Sequence, residues 1–132
     1  MIGRFEEVRA KTRQIGEGER EAIPNLFELV LSYPGEEEAQ LMRAMFFGTS
    51  YGGRQSRPAE CLEAIAPVAG EWLVARIKVA AKPSKDGDRA YLNEDVLTVH
   101  RLAELMDDAQ RVVTSALTNG SSNGSVKVGG TR

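Results

Sequence analysis

Apolar residues recur along this chain mostly at spacings of three and four. The longest run is Val99, Leu102, Met106, Ala109, Val113 and Ala116, at spacings of 3, 4, 3, 4 and 3. That alternation keeps one apolar seam on a single side of an α-helix. It predicts a helix of about seven turns from Asn93 to Leu117. Asn93 acts as its N-cap, Glu94 and Asp95 favour the positive helix end, and Asn119-Gly120 supplies a stop.

Shorter segments give the same period. Ile2 to Ile15 carries Phe5, Val8 and Ile15 on one helical face until Gly16-Glu17-Gly18 breaks it. Glu19 to Ser32 places Ile23, Phe27 and Val30 together, widened by Leu26 and Leu29, with Pro24 early enough to be tolerated. Tyr33-Pro34-Gly35 stops that helix. Glu36, Glu37 and Glu38 then load the first turn of a third helix, whose buried stripe is Leu41, Met42, Met45 and Phe46 and whose end is Gly48. Pro58 opens a helix with Leu62 and Ile65, and Pro67 kinks or restarts it.

The segment from Glu71 to Ala81 fits two periods. Leu73, Ala75, Ile77 and Val79 alternate as a strand does, whereas Trp72, Ala75 and Val79 fit a helix. Its alanines favour the helix. Pro83 to Asp88 is then the turn of a helical hairpin, with a β-hairpin over about 72–92 as the alternative. The expected fold is therefore mainly α. It is a small bundle of four to six helices, residues 1–118, with α+β as the second choice. Asn119 to Arg132 is rich in Gly, Ser and Asn and reads as a flexible tail, in which Val126 and Val128 straddle Lys127.

Composition narrows the classes. A chain of 132 residues has room for one core, and 42% hydrophobic with 27% charged residues is ordinary for a globular protein. The formal net charge of −2 argues against a free-standing cationic nucleic-acid binder. The charge is uneven, however. Residues 1–38 hold nine acids and five bases, while residues 39–59 hold no acid, and Arg43, Arg54 and Arg57 make that stretch +3. Cys61 is the only cysteine, which excludes an intrachain disulfide and a cysteine-rich zinc site. The charged start from Arg4 and the lack of a long apolar run point to a cytoplasmic chain with no membrane contact.

Few residues carry recognisable chemistry. Gly48 to Ser56 (GTSYGGRQS) has the glycines of a phosphate-binding loop, but Arg54 stands at the lysine position and Gln55 at the Mg²⁺-binding hydroxyl position. Nucleoside-triphosphate hydrolysis by this loop is excluded. Free backbone amides, Arg43, Arg54, Arg57 and Tyr51 remain suited to a phosphate of RNA or DNA. Glu60/Glu63 and Glu104/Asp107 are carboxylate pairs at i, i+3, the donor type with which all-α nucleotide pyrophosphohydrolases hold Mg²⁺. Such pairs also arise on any solvated helix face. His100 has no second imidazole to share a metal, and Cys61 has no evident base.

The leading functional expectation is a non-catalytic interaction or scaffold subunit of a larger assembly, with no cofactor. It would bind other subunits or itself through Phe47, Tyr51, Leu102, Met106 and Val113. The alternative is a nucleic-acid-contacting subunit that uses the basic stretch 39–59. A Mg²⁺-dependent all-α nucleotide pyrophosphohydrolase comes third.

Overall fold

The structure, a computed structural model, describes residues 1–34 and 40–123. It overturns the helical bundle. The chain is mostly β, 58% strand against 24% helix. Strands β1 (Ile2–Gly16), β2 (Glu19–Pro34) and β3 (Gln40–Phe47) precede a two-strand hairpin of β4 (Ser50–Tyr51) and β5 (Arg54–Gln55). Helix α1 (Arg57–Ile65), strands β6 (Trp72–Pro83) and β7 (Ala90–Arg101), and helix α2 (Leu102–Asn123) follow. The acidic turn expected at Glu36–Glu38 and the tail from residue 124 onward lie outside the described residues. Two compact units divide at Arg101, Met1–Arg101 and Leu102–Arg132.

Unit Met1–Arg101 is a closed barrel with strand order β1-β2-β3-β7-β6. β6 closes on β1 through Ile2↔Val74, Gly3↔Leu73 and Arg4↔Trp72, all antiparallel. One junction is different. β3 and β7 run parallel and share the single registered pair Phe46↔Asp95.

The helical spacings have a physical origin in β-bulges. Phe5 lies opposite Leu31 and Val8 opposite Leu29, with a register shift between Phe5 and Glu7. One extra residue turns the strand spacing of two into three. The same occurs in β7, where Val96 faces Ile77 and Val99 faces Ala75 across a shift at Arg76/Ile77. Val96 and Val99 are therefore core strand residues, 4% and 1% exposed, and helix α2 starts at Leu102 rather than Asn93. It also runs through Asn119-Gly120 to Asn123. In β2 a larger bulge holds residues 23–26 against Lys11 alone, which places Pro24 where no ladder amide is required. Beyond it Phe27, Leu29 and Leu31 alternate inward. Residues 72–83 form strand β6, and the turn before Ala90 joins it to β7 as a β-hairpin.

Leu29, Leu31, Met45, Phe47, Leu73, Ala75, Val96 and Val99 make the barrel core, and α1 adds Cys61, with Leu62 and Ile65 packed against it. Each large side chain fully removed from water contributes about 1.5–3 kcal/mol. The distal parts of the β1–β2 and β6–β7 hairpins are almost wholly exposed and run on past this core as two-stranded ribbons. Neither described helix is long and apolar enough to cross a membrane.

Candidate functional site

The segment after β3 is held by a small set of polar side chains. Asn25, in the β2 bulge with φ 58°, turns its amide toward this segment. Its Oδ1 accepts from Thr49 N at 2.8 Å, Thr49 Oγ1 at 2.6 Å and Ser50 N at 2.9 Å, and its Nδ2 donates to Ser50 O at 2.7 Å. Gly52 and Gly53, with φ 59° and 78°, form the two-residue turn between β4 and β5, where a side chain would be strained at both positions. Ser56, buried at 4% exposure, ends the segment. It caps α1 by accepting from Ala59 N at 3.3 Å, donates its hydroxyl to Gly48 O, and donates its backbone N to Thr49 O at 2.9 Å.

This frame positions Tyr51. Gly48 N donates to Tyr51 Oη at 3.1 Å, and a Cβ on Gly48 would fall 2.7 Å from that oxygen. The ring thus rests against a glycine and stays 64% exposed.

Tyr51 forms one wall of an open cleft of about 420 Å³. Leu26, Phe46, Gly48, Pro58, Val96 and Leu97 supply apolar lining, and Arg57, Lys78 and Asp95 bring charge. The cleft lies along the β3–β7 junction, where the ladder is reduced to one pair. Lys11 adds a further cation, its Nζ 4.8 Å from the centre of the Phe46 ring. Among the described residues, the side chains of Arg57, Lys78 and Asp95 make no ion pair or hydrogen bond. Other charges nearby are matched: Arg9 with Glu28, Arg13 with Glu21, Arg43 with Glu94 and Arg101 with Glu71. An apolar, aromatic-lined concavity with a few converging unpaired charges is the usual form of a ligand site.

Only part of the set expected from sequence comes together here. Tyr51 and Arg57 line the cleft. Arg43 is engaged with Glu94 of β7, and Arg54 lies exposed on β5 opposite Tyr51. Phe47, expected on the surface because it falls off a helical stripe, points inward once the period is two. It is 5% exposed and stacks on Phe27 with centroids 6.0 Å apart, while Phe46 faces the cleft. Leu102, Met106 and Val113 sit on α2 in the other unit, with Leu102 half-buried and Met106 and Val113 61% and 53% exposed.

Glu63 accepts from Gln55 Nε2 at 3.2 Å, Glu104 and Asp107 belong to the other unit, and no metal-holding cluster of three or more His, Cys, Asp or Glu occurs among the described residues. His100 lines a second, smaller cleft of about 280 Å³ with Glu60 and Cys61. Sequence reasoning missed Asn25, Lys78 and Asp95. The strand alternation of 73–79 could have placed Lys78 on a strand, whereas Asn25 and Asp95 join the site only through pairings across the fold.

Five strands in the order β1-β2-β3-β7-β6 close the barrel, with a helix between the third and fourth barrel strands. Compared with protein-family models, with curated proteins and with solved structures, the chain matches none.

Proposed function

We propose that this chain is a non-catalytic subunit that binds single-stranded nucleic acid in the cleft of its barrel. The observation that carries this reading is the set of unpaired Arg57 and Lys78 beside the half-buried ring of Phe46 and the exposed ring of Tyr51. Cations that track phosphates and rings on which bases stack are the two components of sequence-tolerant strand binding. The topology supports it by analogy only: a closed five-stranded barrel resembles the oligonucleotide- and oligosaccharide-binding (OB) type, which binds strands across its second and third strands between two hairpin loops. The β6–β7 ribbon that begins beside the cleft carries Lys82, Lys85 and Arg89, none ion-paired among the described residues, together with Asp86 and Asp88 at its turn.

The test is fluorescence anisotropy with a labelled oligothymidylate at several salt concentrations. Replacing Arg57 and Lys78 together by Glu removes two phosphate contacts. The slope of log affinity against log salt should flatten by about 1.4, from roughly 0.7 per contact for a single strand. Equal affinity and slope for wild type and double variant would exclude the cleft.

A second reading concerns α2 and keeps the chain as part of an assembly. Leu105, Met106, Val112, Val113 and Leu117 make a broad apolar stripe on this helix, and Val112 and Leu117 are 69% and 68% exposed. Most helix stability in proteins comes from packing such a face. We read it as a self-association surface. Sedimentation should show a dimer or larger species that Val112→Glu converts to monomer, and a monomeric wild type would remove this reading.

A further inference from the structure

Asp95 does not suit a cleft that only holds phosphates. Its carboxylate is exposed in the same lining as Arg57 and Lys78, and it pairs with neither of them. Near a polyanion backbone it repels. Lys78 is its register partner across the β6–β7 ladder, and Phe46 is its register partner across β3–β7. The acceptor is therefore fixed by backbone on both sides, next to an aromatic ring. A carboxylate offers acceptor oxygens only and pairs best with two parallel donors.

We propose that Asp95 reads the edge of one base held against Phe46 and Tyr51, and that the preferred base is guanine. This rests on the nucleic-acid reading above. Guanine presents N1–H and N2–H side by side, which matches the two oxygens of a carboxylate. Thymine and uracil present one N–H donor flanked by carbonyls that the carboxylate repels. Adenine and cytosine present a single amino group beside an acceptor. The cleft volume lies within the range of about 300–1,000 Å³ common to small-ligand sites, enough for a single nucleotide to seat without a second. Arg57, Lys78 and Lys11 then take the flanking phosphates, so position and base identity come from different side chains.

The experiment compares an oligothymidylate with the same strand carrying one central guanine, adenine, cytosine or inosine. A single guanine should raise affinity by at least about tenfold, the scale of one bidentate base contact. Inosine keeps N1–H and lacks N2–H, so it should lose much of that gain. Asp95→Asn keeps the side-chain shape, and it should abolish the guanine preference while affinity for oligothymidylate holds or rises. Free guanosine monophosphate, added as competitor, should displace the strand only weakly, because it offers one phosphate to three cations. Equal binding of all strands by wild type, or a guanine preference retained in Asp95→Asn, would overturn the inference while leaving strand binding intact. Guanosine monophosphate binding as tightly as the strand would assign the site to a free nucleotide and overturn strand readout. Failure of every oligonucleotide to bind would remove the parent reading together with this one.

Discussion

Gly48→Ala separates the cleft from the stability of the barrel. The added Cβ would meet Tyr51 Oη at 2.7 Å and Cζ at 2.8 Å, closer than real Cβ contacts come. No positive φ is required at this position, so backbone strain is not the issue. The obstacle is the end of an exposed side chain, and the ring can move into solvent. The fold then loses one hydrogen bond, from Gly48 N, worth about 0.5–1.5 kcal/mol. At roughly 4–8 °C per kcal/mol for a domain of this size, the melting temperature should fall by less than about 12 °C.

Binding should suffer more. If Tyr51 is a stacking platform, its displacement costs about 1–3 kcal/mol, a loss of roughly five- to 150-fold in affinity for a single strand. Thermal melting by circular dichroism and anisotropy on one oligothymidylate measure both effects. Tyr51→Phe is the control. It removes the hydroxyl and keeps the ring, and so should fall between wild type and Gly48→Ala in affinity. Gly48→Ala binding as tightly as wild type would refute the idea that Gly48 sets the platform.

Three further outcomes test the packing. Leu31→Ala, at a fully buried core position, should lower the unfolding free energy by about 2–5 kcal/mol in a urea melt. Tyr33 carries a buried hydroxyl with no partner among the described residues, so Tyr33→Phe should be neutral or stabilising. Burial raises the Tyr33 pKa above 10.0, against a smaller lowering by Arg43. The neutral phenol is thus favoured in the fold, and its contribution is present below pH 10 and lost as pH rises through the folded value, a loss that Tyr33→Phe should lessen in alkaline melts. Met106→Ala, at a 61% exposed site on α2, should leave the barrel melt unchanged and weaken only self-association.

The sequence was legible where local chemistry acts alone. Pro58, Leu62 and Ile65 mark α1, and the stripe from Leu102 to Ala116 is a helix. It misled where strands are bulged. Phe5/Val8 and Val96/Val99 are three apart because an extra residue sits between inward positions, and periodicity alone reads that spacing as a helical turn. The error then spread to the site. A period of 3.6 puts Phe47 on a surface and Phe46 in a core, and a period of 2 turns Phe47 inward and Phe46 toward the cleft. Lys78 and Asp95 meet only through the β6–β7 ladder, and Asn25 reaches Thr49 and Ser50 only across the fold. Such long-range pairings leave no mark at the scale of a sequence window.

Backbone amide chemical shifts, followed while the full chain is titrated with an unlabelled oligothymidylate, test the central claim most directly. Saturable shifts should concentrate at Phe46, Tyr51, Arg57, Lys78 and Asp95 and extend along the β6–β7 ribbon, with α2 unaffected. Shifts confined to α2 or to the cleft beside His100, or none at all at low salt, would contradict it.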